Sequence, residues 1–214
     1  MLFQGLSNEV SRRNMSPKPT ISRESIIEAA WELIRHEGCG KLNARNLADK
    51  LGTSTMPIYS AIGSMSQLEI ALRRRVADTL QEWQKRTWGD NPMLDMATGY
   101  VMFAREEPKL YLFLFSEVTV TESVAFLTNP LDRPGAMDAL TASSAYRGFI
   151  AGMAHDTQNS FLFRTWVFVH GLANLIAEGL LVMEKEEVIK HLEAAGGAFY
   201  IYHANMQKKK EGTK

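Results

Sequence analysis

The stretch Asn43 to Ile62, NARNLADKLGTSTMPIYSAI, restricts this chain more than any other part of it. Asn43 has a side chain that accepts a hydrogen bond from a free amide of a first helical turn, which predicts a helix starting at Ala44. Leu47, Ala48 and Leu51 then recur at helical spacing and form one apolar stripe. Gly52 follows, the residue that most cheaply takes a left-handed conformation at a helix end. Thr53 or Ser54 supplies the cap of a second helix, whose buried side continues through Ile58, Tyr59 and Ile62. Two short helices around a glycine turn make a helix-turn-helix, and in the DNA-reading versions the N-terminal residues of the second helix meet base edges in the major groove. Spacing alone does not decide the matter, because two short helices in any all-helical core show the same stripe.

The flanks predict a scaffold for this pair. A first long helix starts near Ser22 and runs to Glu37, with Ile26, Ala29, Ala30, Leu33 and Ile34 on its buried face and Gly38 and Gly40 at its end. Ser22 is a good cap, and Ser25 with Glu28 is a second capping pair. A longer helix begins near Ser64 or Ser66 and extends to about Thr87, with Leu68, Leu72, Val76, Leu80 and Trp83 in one row. Arg73, Arg74 and Arg75 cannot all face inward, so at least one points to solvent. Gly89-Asp90-Asn91-Pro92 is a clear break and the expected domain boundary.

From Ile26 to Leu68 the chain resembles the DNA-binding domain of the TetR/AcrR family of bacterial transcriptional regulators. The residues that carry the resemblance are Ile26, Ala29, Ala30, Leu33, Ile34, Gly38, Leu42, Arg45, Leu47, Ala48, Leu51, Gly52, Ser54, Ile58, Tyr59 and Leu68. It implies a ligand-responsive repressor that works as a homodimer on a double-stranded DNA operator. The expected DNA-contacting set is Asn43, Arg45, Thr53, Ser54, Thr55, Met56, Tyr59 and Ser60. Within it Arg45 and Tyr59 hold phosphate, while Thr55 and Met56 touch bases, Met56 through a thymine methyl. Two stretches depart from the family's pattern. Ser60, Ala61 and Ile62 stand where it has a basic or polar pair and an aromatic, and Met65 stands where a lysine often meets phosphate.

Beyond the break the pattern stays helical. Met93 to Glu107 is one expected helix, stopped by Pro108. Lys109 to Ser116, KLYLFLFS, fits a buried strand by pattern, but no second strand of similar strength exists to pair with it, which favours helix. Thr119 to Pro130 is a loop or irregular helix, and Pro134 to about Ala154 another helix. A polar turn, His155 to Asn159, precedes an apolar helix from Ser160 to Met183. Glu184 to Gln207 is the last helix, before a fraying basic tail.

The segment Arg164 to Leu175, RTWVFVHGLANL, resembles the WHG-type ligand-binding domain of a TetR subgroup, with Trp166, His170 and Gly171 as its signature. Glu106 to Phe115 is similar to that subgroup's short sixth helix. The second half is rich in aromatic residues and methionine, the types that line ligand pockets. Met102, Phe103, Tyr111, Phe115, Tyr146, Phe149, Trp166 and His170 are therefore the expected lining of an apolar cavity for a small-molecule effector. For the dimer interface the spacing selects Phe163, Val167, Gly171, Asn174 and Glu178 on one helix. On the other it selects Leu192, Ala195, Gly196, Phe199 and His203, within a run of small residues that permits close approach.

Bulk properties narrow the function classes. The 214 residues carry no net charge, which argues against a wholesale polyanion binder, yet residues 1–90 hold 13 Lys and Arg against 10 Asp and Glu. The positive excess thus falls on the half with the helix-turn-helix. No stretch is expected to span a membrane, no secretory signal is evident, and the single cysteine, Cys39, fits a reducing cytoplasm. There is no phosphate loop, nucleophile elbow or metal-spaced His or Cys pair, so neither an enzyme nor a cofactor or metal site is expected. Leu2-Phe3-Gln4-Gly5 matches the end of a protease site used to release recombinant proteins.

The expected architecture is all-α: an N-terminal three-helix, helix-turn-helix domain and a C-terminal ligand-binding and dimerisation bundle. Its divisions are a disordered arm over 1–20, the DNA-binding domain over 21–65, a connecting helix over 66–88, the ligand and dimer domain over 89–207 and the tail over 208–214. Arg12, Arg13 and Lys18 of the arm are candidates for a minor groove. The rival expectation is a helical ligand-binding dimer with weak DNA affinity.

Overall fold

A computed structural model describes residues 21–116 and 155–211. Among them are eight α-helices, one short 3-10 turn and no strand. In chain order the helices are α1 (Arg23–Glu37), α2 (Ala44–Lys50), α3 (Thr55–Ile62), α4 (Met65–Gln84), α5 (Pro92–Glu106), α6 (Pro108–Phe115), α7 (His155–Ala177) and α8 (Lys185–Glu211). The basic arm, the helix expected from Pro134, and Tyr146 and Phe149 lie outside the described residues.

Local sequence accounts for most helix ends. Ser22 accepts from the Ser25 amide at 3.0 Å, while the Ser25 hydroxyl donates back to the Ser22 carbonyl at 2.8 Å. The two serines thus hold the start of α1 from both sides, although here the second side chain donates to the cap carbonyl instead of accepting from the cap amide as Glu does in the usual reciprocal cap. Gly38, at φ +90°, lets the chain leave α1, and its amide donates to the Ile34 carbonyl at 2.8 Å. Asn91 caps α5 by accepting from the Met93 and Leu94 amides, with Pro92 in the first turn.

Ile26, Ile34, Leu47, Ile58, Leu68, Leu72, Val76 and Leu80 are wholly or almost wholly buried and bind α1 to α4 into one core. The row predicted along α4 is therefore the row that packs. Its far end meets α5, where Gly99 lies so close to Trp83 that a Cβ would run into the Trp83 carbonyl. Trp83 also stacks with Trp88 at 6.2 Å and meets the edge of Phe103 at 6.1 Å.

Several boundaries differ from expectation. The connecting helix begins at Met65, a residue earlier than the division drawn at 66, and ends at Gln84 rather than near Thr87. Residues 155–159 are the first turn of α7 and not a separate turn, since no Gly or Pro interrupts them. That helix stops at Ala177 instead of Met183, because Gly179 at φ +71° turns the chain out of it. The final helix continues past the expected end at Gln207 to Glu211. One stretch, Ser160–Ala177 of α7, is long and apolar enough to cross a membrane by length and composition, contrary to the sequence reading. It packs against α5, α6 and α8.

The close approach at Gly99 predicts the consequence of filling it. Gly99→Ala lowers unfolding stability in urea by about 1–3 kcal/mol, the usual range for forcing atoms into a packed interface. A loss below about 0.5 kcal/mol would show that α4 and α5 do not meet this way.

Candidate nucleic-acid interface and effector site

The candidate DNA-contacting pair, α2 and α3, is built from three local devices. Asn43 accepts from the Asn46 amide at 2.9 Å, and its own amide group donates to the Lys41 carbonyl at 3.3 Å, so α2 starts where its cap dictates. Gly52, at φ +63°, turns the chain, and the Thr53 amide donates back to the Ala48 carbonyl at 2.9 Å. Ser54 then takes an extended backbone ahead of α3, with its hydroxyl making no capping bond. Pro57 falls in the first turn of α3, where an amide hydrogen is not needed. Ile58 and Ile62 point inward and fix the rotation of the helix.

That rotation decides what faces out. Met56 is 73% exposed and Tyr59 45% exposed, and Ser54, Thr55, Ser60 and Arg45 are exposed as well. Thr53 is half-buried in the turn. Two members of the predicted contact set already have work within the chain: Asn43 caps α2, and the Ser60 hydroxyl donates to the Met56 carbonyl at 3.0 Å. Helix α3 carries no charged residue. Met65, at the start of α4, packs partly against the core.

The three arginines of α4 separate by role. Arg74 is exposed. Arg75 pairs with Glu28 at 2.7 Å and lies 4.5 Å over the Trp31 ring, holding α4 to α1. Arg73 donates to the Phe113 and Leu114 carbonyls at 2.5 and 3.1 Å, at the end of α6. The opposite end of α6 is also tied to the reader. Arg35 of α1 makes a two-point pair with Glu107 at 2.8 and 2.5 Å, and the Lys109 ammonium donates to the His36 carbonyl. Glu107 raises the Arg35 pKa through that hydrogen bond and its charge, and burial lowers that of Arg73.

Helix α6 carries Tyr111 and Phe115 to a partly buried aromatic cluster. Its centre is His170 of α7, whose Nδ1 lies 2.9 Å from the Tyr100 hydroxyl and 3.0 Å from the Tyr111 hydroxyl. Trp166 stacks on the imidazole at 5.1 Å and 13°, and Phe115 meets it nearly edge-on at 4.8 Å. Burial pushes the Tyr111 pKa far up and lowers that of His170. Of the predicted lining, Tyr111, Phe115, Trp166 and His170 come together. Phe103 packs instead against Trp83, and Met102 is buried on the same helix. Tyr100 was not anticipated, and its contact lies 70 residues away, beyond any local signal.

The residues selected for a dimer divide. On α7, Phe163, Val167 and Gly171 are exposed and Asn174 partly so, while Glu178 falls past the helix end. On α8, Leu192 and His203 are buried inside the protomer, and His203 meets Phe161 at 6.1 Å. Leu192, Ala195, Gly196 and Phe199 line a cleft of about 200 Å³ with Met93, Leu94, Ala97 and Phe168. The face of α8 left to solvent is offset from them and holds Ala194, Gly197, Ala198, Ile201 and Tyr202. No cluster of three metal-ligating side chains occurs among the described residues.

Fold and surface together define a class: an all-helical protein that displays the second helix of a helix-turn-helix. Comparison with known proteins agrees with that class. The chain is 34% identical over 95 residues to the uncharacterized HTH-type transcriptional regulator Rv0681 of Mycobacterium tuberculosis, covering 42% of this chain and 44% of that one. It is 27% identical over 145 residues to the uncharacterized HTH-type transcriptional regulator YobS of Bacillus subtilis, covering 63% of this chain and 76% of that protein. It is 35% identical over 57 residues to the HTH-type transcriptional repressor DrrR1 of Streptomyces coeruleorubidus, covering 27% and 21% respectively. The match thus spans less than half of the first relative and about a fifth of the third. No family model matches the chain.

Burial of His170 has a measurable sign. Its folded pKa lies below the ordinary 6.5, so the unfolded chain binds the proton more readily, and stability falls as pH drops below about 6.5. His203, also lowered by burial, adds in the same direction. Urea unfolding between pH 7 and pH 5.5 should show this loss, with a shallower slope in His170→Phe. An unchanged slope would mean that His170 is not buried neutral.

Proposed function

We propose that the protein is a ligand-responsive transcriptional regulator of the TetR/AcrR type. In this reading it is a cytoplasmic homodimer that represses by binding a near-palindromic operator and is released by a small apolar effector. The observation that carries it is the exposure of Thr55, Met56 and Tyr59 on an α3 whose other side is locked by Ile58 and Ile62. The relationship to three HTH-type regulators, one named a repressor, supports the same reading.

In the proposed complex Met56 and Thr55 meet base edges, while Tyr59, Arg45 and the uncapped Ser54 hydroxyl meet phosphate. The apolar face of α7 with the outer face of α8 pairs with its copy, as small residues at 194, 197 and 198 permit. The effector enters the WHG-type His170 cluster, and Tyr146 and Phe149 remain proposed parts of its lining. Because Tyr111 and Phe115 ride on α6, and α6 is tied to α1 and α4, a ligand that displaces α6 re-aims the reader. Such a ligand acts by binding one arrangement better than the other.

A second reading has its own support. The uncharged α3 and the half-packed Met65 leave few cations at the DNA face, which favours a ligand-binding dimer with weak DNA affinity. One variant separates the two. Tyr59→Ala, altering an exposed side chain, should leave the unfolding midpoint unchanged and weaken operator binding at least tenfold in a gel-shift titration. Affinity within twofold of the parent would rule out this docking.

A further inference from the structure

Helix α3 turns one strip of side chains outward. Thr55, Met56, Tyr59 and Ser60 stand at i, i+1, i+4 and i+5 and all four are exposed, while Ile58 and Ile62 face the core. Thr55 and Met56 lie in the first turn, the part of a recognition helix that meets base edges. In the major groove those edges differ in donors, acceptors and the C5-methyl of thymine. Donor and acceptor pairs are read by guanidinium, ammonium, amide or carboxylate groups, and α3 has none. The amide side chains around it are turned to the protein. Asn43 and Asn46 both donate to the Lys41 carbonyl, and Gln67 lies so close to Gly63 that a Cβ there would meet its amide oxygen. Arg45 belongs to α2, the helix that crosses the DNA backbone in this motif.

The strip on α3 therefore offers hydroxyls and an apolar chain. A hydroxyl both donates and accepts, so it fits either kind of edge and discriminates little. The Ser60 proton is already given to the Met56 carbonyl at 3.0 Å. The selective contact left is apolar: the Met56 chain, 73% exposed and able to adapt its shape, with the Thr55 methyl beside it. A thymine methyl is the one apolar group that a base edge carries in this groove, and cytosine gains the same group when methylated at C5.

We infer that α3 selects its operator through pyrimidine C5-methyl groups, with Met56 as the specificity-determining residue. This rests on the DNA-binding reading above, and deepens it from a surface to a rule for the sequence bound. Each half-site carries a thymine at the position Met56 covers, chosen by burial of its methyl and not by a hydrogen bond. Withdrawing one methyl from water is worth roughly fourfold in affinity. One such contact in each of two half-sites is then worth roughly sixteenfold.

The test uses the full-length protein in low-salt buffer. An operator is recovered from a pool of random duplexes, then resynthesised with uracil, which lacks only the C5-methyl, in place of thymine. The thymine duplex should bind at least tenfold more tightly than the uracil duplex, and single replacements should trace the loss to one position in each half-site. With cytosine at that position, the 5-methyl derivative should bind at least threefold more tightly than cytosine itself. In Met56→Ala the thymine-to-uracil ratio should fall within threefold. Thymine and uracil affinities within twofold in the parent, or no gain from 5-methylcytosine, overturn the methyl assignment and leave the DNA-binding reading standing. A tenfold ratio that persists in Met56→Ala traces the effect to DNA shape and overturns the role of Met56. Recovery of no operator removes the DNA-binding reading and this inference with it. The parent comparisons hold whether or not the variant folds.

Discussion

The geometry depends on how one short helix is held. Helix α6 has only eight residues, too few to be stable alone, and its last carbonyls lack helical partners. Arg73 supplies donors to two of them, and its guanidinium lies 4.5 Å over the Phe113 ring. An arginine keeps its charge even when burial opposes it, so the donors are permanent. At the other end Glu107 and Lys109 reach α1. A helix so short, fastened at both ends to the reader, has little freedom to move without taking the reader along. Its Tyr111 and Phe115 meet His170, so the helix-turn-helix domain and the His170 cluster are joined through one short helix.

Much of the reader was legible because its determinants are local. A cap, a stripe, a glycine and a second stripe lie within twenty positions, and each acts on neighbours in the chain. Asn43, Gly52 and Ile58 do in the fold what their residue types require. By pattern, helix α6 was reached only by elimination, since its apolar run fits a strand equally well; the resemblance of Glu106 to Phe115 to a short sixth helix pointed the same way. Glu107 and Arg73 act across 72 and 40 positions, distances at which pattern carries no information.

The last helix shows a different limit. Residues 192, 195, 196, 199 and 203 recur at helical spacing, as do 194, 197, 198, 201 and 202. Apart from His203, both stripes are apolar or small. Periodicity finds stripes but cannot tell which is turned inward when a helix is apolar on two sides. The structure turns the first toward α5 and α7 and leaves the second open. Aromatic content brought Tyr111, Phe115, Trp166 and His170 to one place, but Tyr100 rather than Phe103 is the α5 residue that faces His170. Both positions are aromatic, and only packing distinguishes them.

The central claim is that two copies of α3 read duplex DNA together. Selection of bound sequences from a pool of random duplexes, in low-salt buffer with the purified full-length protein, tests it most directly. The account predicts enrichment of an inverted repeat whose half-site centres lie about 10 base pairs apart, or a whole-turn multiple, because paired recognition helices sit about 34 Å apart. Recovery of a pool no different from the input would contradict it.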